Sequence, residues 1–118
     1  MRTRFMTRYE PGDVVLVRFP FTDFSVLKKR PALILSPAGY SAQDVVVLAM
    51  TSQPQRDKSL RLAKWKEAGL PKPTWFKPAL GTIAVSLVLR RLGQLAEIDW
   101  DRAKAALKKA IAPEFFSE

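Results

Sequence analysis

The sequence contains no cysteine and no histidine. The first absence rules out disulfides and zinc–thiolate sites, and it suits a reducing compartment, so the expected location is cytoplasmic. The second removes the side chain that most often moves protons near neutral pH, and with it an imidazole-built transition-metal site. Any catalysis must run on arginine, lysine, carboxylate, hydroxyl or backbone groups. The five glycines are scattered, and they build neither a phosphate-cradling loop nor a dinucleotide fingerprint. Carboxylates are scarce, and Asp99 and Asp101 read as helix-start residues favoured by the helix dipole rather than as metal ligands. No metal and no cofactor is expected. The longest apolar run, VVVLAM at 45–50, is far shorter than a membrane span. The opening MRTRFMTRYEPGD carries cations but no apolar stretch of the signal-peptide kind, so no membrane association is expected.

What is present is a folding chain with a strong positive charge. Its 118 residues are 47% hydrophobic, which suits one domain over 1–118 with one continuous core. The net charge is +9, from 20 basic and 11 acidic residues. Residues 97–118 hold four cations and five anions, or −1, while residues 1–96 hold sixteen and six, or +10. The excess lies in the body of the chain and not in a tail. A folded basic surface points to a polyanionic partner: nucleic acid, an acidic protein segment or, as the least favoured of the three, a membrane surface.

Turn signals divide the chain into short strands. Glu10-Pro11-Gly12-Asp13 is a turn before a β-branched run at 14–17, which Pro20 should stop. FTDFSVLKKR then reads as a loop of about ten residues, long enough to suggest a function. PALILS and DVVVLAMTS are the next strands, and SLRLA at 59–63 alternates as a half-exposed strand would. KWKEAGLPKP fits one helical turn closed by Gly69 or a plain loop. TWFK reads as a short strand, and IAVSLVLRRLGQL holds one or two more. From Asp99, apolar residues recur at helical spacing until Pro113, so an amphipathic helix is expected over about 99–112, with Asp99 as its N-cap. The expected fold is mainly β: five to seven short strands in a small curled sheet or barrel over about 10–96, with a C-terminal α-helix.

Several residues suit RNA chemistry. Phe21, between Pro20 and Thr22 in the basic loop, could stack a base; Phe19 reads as strand-end core, and Phe24 fits either role. Lys28 and Lys29 supply charge. Arg30 offers a planar fork of donors that matches phosphate oxygens two at a time, and Pro31 would aim it without a flexible joint. Thr51, Ser52 and Gln53 form a hydroxyl-rich strand end that would face the same cleft if the strands at 31–35 and 44–51 adjoin. Of Arg90 and Arg91, at most one can point to the core, which leaves the other for a phosphate or for solvent.

These motifs resemble a known family. GDVVLVRFPFTD at 12–23, KKRPALILS at 28–36 and MTSQ at 50–53, in this order and spacing, are similar to the MazF/PemK-like toxins of type II toxin–antitoxin pairs. WKEAGLPKPTWFK at 65–77 and RRLGQL at 90–95 continue the likeness over about 10–113. The resemblance implies an SH3-like barrel with a C-terminal helix, a homodimer, a cognate acidic antitoxin, and metal-independent, sequence-selective cleavage of single-stranded RNA to a cyclic phosphate and a 5′-hydroxyl. It places the active arginine on Arg30, which could bind the phosphate and donate a proton to the leaving oxygen, and the active threonine on Thr51. Some relatives carry a glutamate five residues before the arginine. Here that position is Ser25, and Asp23 stands nearby in the same loop. Phe21, Asp23, Ser25, Lys28, Lys29, Ser52 and Gln53 are the expected RNA-binding residues. Two other outcomes fit the same fold: a gyrase-poisoning toxin, from whose aromatic-Gly-Ile ending the tail APEFFSE differs, and a non-catalytic nucleic-acid-binding barrel.

Overall fold

The structure, a computed structural model, describes residues 9–19 and 28–112. Five strands form one antiparallel sheet: β1 (Asp13–Phe19), β2 (Lys28–Ile34), β3 (Asp44–Thr51), β4 (Trp75–Ala84) and β5 (Val88–Gln94). Their order across the sheet is β4-β3-β2-β1-β5. One helix follows, α1 (Trp100–Ala110). The expected mainly β fold with a terminal helix is present. The sheet is open rather than a closed barrel, with β4 and β5 as its two edges.

The entry turn forms as its residues dictate. Gly12 takes φ +98°, which a Cβ would oppose, and Asp13 N–H donates to the Glu10 carbonyl at 3.0 Å. The run at 14–17 in β1, the end of β2 at 32–34 and nearly all of β3 are apolar at successive positions because their side chains feed clusters on both faces of the sheet. Val14, Leu33, Leu48, Met50 and Phe76 pack on one face with Ala103 and Ala106 of α1. Val15, Val17, Ala32, Ile34, Val45, Val47, Ile83 and Val88 form a second cluster.

Three expectations change. SLRLA is not a strand: Asp57 accepts hydrogen bonds from Ser59 N and Oγ at 2.9 and 2.6 Å and winds Lys58–Leu60 into a 3-10 turn, leaving one bridge from Arg61 to Trp75. TWFK is the start of a ten-residue strand, and IAVSLVL is divided between β4 and β5 by a 3-10 turn at Val85–Leu87. Asp99 stands at the N-cap position of α1 but does not cap it. Its fully buried carboxylate accepts instead from Ala63 N at 2.7 Å and Lys64 N at 2.9 Å, with Arg102 Nη1 at 3.5 Å. It caps a turn more than thirty residues away in sequence, which helix periodicity cannot show. Among the described residues no helix is long and apolar enough to cross a membrane.

Candidate active site

A proline decides where the site opens. Ala32, Leu33 and Ile34 of β2 lie opposite Ala49, Leu48 and Val47 of β3. Continued by two residues, this register sets Arg30 opposite Thr51. The ladder does not continue. Leu35 N donates across to Val46 O at 2.8 Å, and strand amides alternate sides, so positions 33 and 31 also turn their amides toward β3. Position 31 is proline and has none, so pairing stops there, in the middle strand of the sheet.

Beside this break lies a cleft of about 430 Å³. Lys29, Arg30, Pro31, Thr51 and Ser52 line one side, Leu16 and Leu92 contribute apolar surface, and Gly69–Lys72, Thr74 and Arg90 complete it. Arg30 is half-buried and Thr51 is buried. The Thr51 hydroxyl oxygen accepts from Gln53 N at 3.1 Å, which leaves its own hydrogen to donate elsewhere.

The wall at 69–72 is set from both ends. The turn preceding it closes with Ala68 N to Lys64 O at 3.2 Å and Gly69 N to Lys66 O at 3.0 Å, with Gly69 at φ +83°. Gly69 and Gly93 let this turn sit directly on β5. A Cβ on Gly93 would lie 2.5 Å from the Ala68 carbonyl oxygen, and one on Gly69 would lie 2.0 Å from that of Leu92. The Asp99 carboxylate holds the other end of the turn at Ala63 and Lys64.

A family model for the PemK-like, MazF-like toxins of type II toxin–antitoxin systems matches residues 10–111. The chain belongs to this family. No curated protein matches it, but solved structures do. A mycobacterial endoribonuclease in complex with its cognate antitoxin aligns at TM-score 0.67 and 17% identity, over 86% of this chain and 93% of the other. A second endoribonuclease from a mycobacterial species gives 0.65 and 20%, over 90% and 93%. The Mycobacterium tuberculosis toxin MazF-mt6 gives 0.60 and 21%, over 90% and 98%. At these identities the likeness is one of fold.

Within this PemK/MazF-family toxin, Lys29, Arg30, Thr51 and Ser52 meet on the one cleft. Lys28 and Gln53 do not line it. Lys28 is exposed at the start of β2 opposite Phe19, and Gln53 is exposed past the end of β3, where its carbonyl accepts from Gln55 Nε2 at 3.1 Å. Phe21, Asp23 and Ser25, together with Phe24, lie outside the described residues. Sequence reasoning missed Lys72, although Pro71 and Pro73 on either side of it mark a rigid placement.

The two arginines of β5 divide between faces. Leu16 of β1 pairs with Pro31 on one side and Arg90 on the other, so Arg90 shares a sheet face with two other residues that line the cleft. Arg91 pairs with Val15 and turns to the opposite face. There its Nη2 lies 2.9 Å from the buried Asp13 carboxylate and its guanidinium 5.3 Å from the centre of the Tyr9 ring. Asp13 also accepts from Gln94 Nε2 at 3.1 Å and Glu10 N at 2.9 Å. Burial raises the pKa of the Tyr9 hydroxyl, with Arg91 opposing that rise and Asp13 adding to it. Among the described residues no cluster of carboxylates could hold a metal ion.

Proposed function

We propose that this toxin is an endoribonuclease that cuts single-stranded RNA, with mRNA as its cellular substrate. The 2′-hydroxyl passes its proton to solvent water and its oxygen attacks the adjacent phosphorus. The P–O5′ bond then breaks, and the 5′-oxygen takes a proton from water, leaving a cyclic phosphate and a free 5′-hydroxyl. The observation that carries this reading is the break at Pro31, which leaves Arg30 and Thr51 at opposed register positions on an open cationic cleft. Such a reaction asks the protein mainly for positioning and charge stabilisation. A guanidinium has donors and no acceptor, so Arg30 serves as the forked clamp on the non-bridging oxygens and not as the base. Thr51, with its hydroxyl hydrogen free to donate, orients the same phosphate.

Cleavage should proceed in EDTA, because the developing charge is met by Arg30. Arg30→Lys keeps the charge but loses the fork, so it should still bind RNA and cut at least a hundredfold more slowly, on the order of 3 kcal/mol in the barrier. Thr51→Val keeps the shape, removes the donor and should cost on the order of 2–4 kcal/mol. Wild-type rates in both variants would overturn these assignments. RNA binding by the wild type without cleavage in EDTA would instead identify a non-catalytic RNA-binding toxin.

The reading extends to a cytoplasmic location, where mRNA is found, and to two protein partners. An acidic antitoxin segment suits a body of charge +10 and would cover the cleft. A second copy of the chain suits the exposed Leu80 and Leu89 on the two edge strands, although Ile83 and Val88 of the same apolar stretch are already used in the core. Sedimentation tests both. The chain alone should run as a dimer at micromolar concentration, and an acidic antitoxin should release labelled RNA from it. A clean monomer, or RNA and antitoxin held together without mutual effect, would sink the respective assembly.

A further inference from the structure

The cleft holds more positive charge than one phosphate requires. Lys29, Arg30, Lys72 and Arg90 all line it, and among the described residues none of the four forms an ion pair. Gathering like charges without counter-ions destabilises a fold unless a ligand answers them. The neighbouring Arg91, by contrast, is held by Asp13 on the other face, so Arg90 has no structural duty in that brace.

The register shows how these charges are spread. Pro31, Leu16 and Arg90 form one row across β2, β1 and β5 on the face of the cleft. Adjacent strands stand about 4.8 Å apart, so the Arg90 backbone lies about 10 Å from that of Pro31. Lys72 also lines the cleft, from the 69–72 segment, placed between two prolines and with Thr74 Oγ1 donating to its carbonyl at 2.8 Å.

We propose that Arg90 and Lys72 form a second phosphate subsite, separate from the Arg30–Thr51 pair, which holds a backbone phosphate neighbouring the one that is cut. The subsite rests on the reading of this cleft as an RNA site. It serves binding and register and takes no part in the bond changes. Because it grips backbone and not base edges, its contribution is the same for every RNA sequence.

The test uses the full chain and a pool of randomised single-stranded RNA that is 2′-O-methylated and therefore cannot attack its own phosphate. Affinity is measured across a range of salt concentrations. For single strands the log–log slope changes by about 0.7 for each phosphate that the protein ceases to neutralise. The double variant Arg90→Gln/Lys72→Gln should reduce the slope by about 0.7, the loss of one phosphate, and each single variant by part of that amount, while Arg90→Lys restores the wild-type slope. Lys104→Gln, an exposed charge on α1 away from the cleft, should leave the slope unchanged. Unaltered slopes in the cleft variants, or an equal fall in Lys104→Gln, would overturn the subsite. Its failure is distinct from failure of the enzymatic reading. Cleavage of unmodified RNA with unaltered slopes removes only the subsite, and altered slopes without cleavage remove only the enzyme.

Discussion

Arg90 and Arg91 are adjacent in sequence and serve opposite ends. Arg91 closes a brace in which it meets the buried Asp13 carboxylate and the Tyr9 ring, while that carboxylate also accepts from Gln94 and the Glu10 amide. Arg90 faces a cleft with three other cations and, among the described residues, no ion-pair partner. The other ion pairs of the described residues also lie outside the cleft. Arg102 meets Asp99, Lys109 meets Asp57 and Lys64 meets Glu67, each away from the cleft, while the cleft's own charges stay uncompensated. For these two neighbouring arginines, an ion-pair partner separates the structural use of charge from the cleft use better than exposure does. Arg91 is itself 42% exposed on its side chain and is nonetheless structural.

The comparison breaks most decisively at Asp13. Asp13→Ala would strip acceptors from Glu10 N, Gln94 Nε2 and Arg91 at once. Leaving buried donors unsatisfied costs about 1–3 kcal/mol, and since Arg91 can turn to water the expected loss is about 2–3 kcal/mol in urea unfolding. RNA affinity per folded molecule should stay close to wild type. A variant that keeps its stability but loses RNA binding would reverse the roles of the two faces.

Much of this is legible in the residues and some is not. The entry turn, the buried strands at 14–17, 31–35 and 44–51, and the terminal helix follow from period and punctuation, which are local properties. The juxtaposition of Arg30 with Thr51 is only conditional in the sequence, because it depends on β2 pairing with β3 in a particular register, a non-local fact. Pro31 reads as a device that aims the arginine. In the sheet it also ends the ladder, because its missing amide falls on the β3 side, and that side is fixed only by the bond from Leu35 N to Val46 O. Lys72 and the choice of Arg90 over Arg91 for the cleft depend on the bulged pairing of β1 with β5 and on the close glycine packing of the 63–69 turn. Neither leaves a periodic trace. SLRLA misleads for the opposite reason: its alternation is genuine, but an aspartate two residues before it binds Ser59 and turns the chain first.

The smallest expected effect belongs to the other side of the comparison, the exposed pair of Asp57 with Lys109, whose charged atoms stand 3.0 Å apart. Hydrogen bonds from the Ser59 side chain, then from Lys109, then from Ser59 N lower the Asp57 pKa from 3.8 to about 2. A carboxylate whose pKa is lower in the folded chain than in the unfolded one stabilises the fold fully above the unfolded value, and that stabilisation is lost as pH falls through the folded value. The window is therefore from about pH 4 down to about pH 2. Asp57→Asn keeps an oxygen that can still accept from Ser59 N and removes only the charge. Its melting temperature should lie slightly below that of the wild type near neutral pH and converge with it as the pH drops across this window. Added salt should shrink the neutral-pH difference, since exposed pairs are screened. A difference that persists unchanged below pH 2 would mean that the 3-10 turn at Lys58–Leu60, and not the ion pair, was what the substitution disturbed.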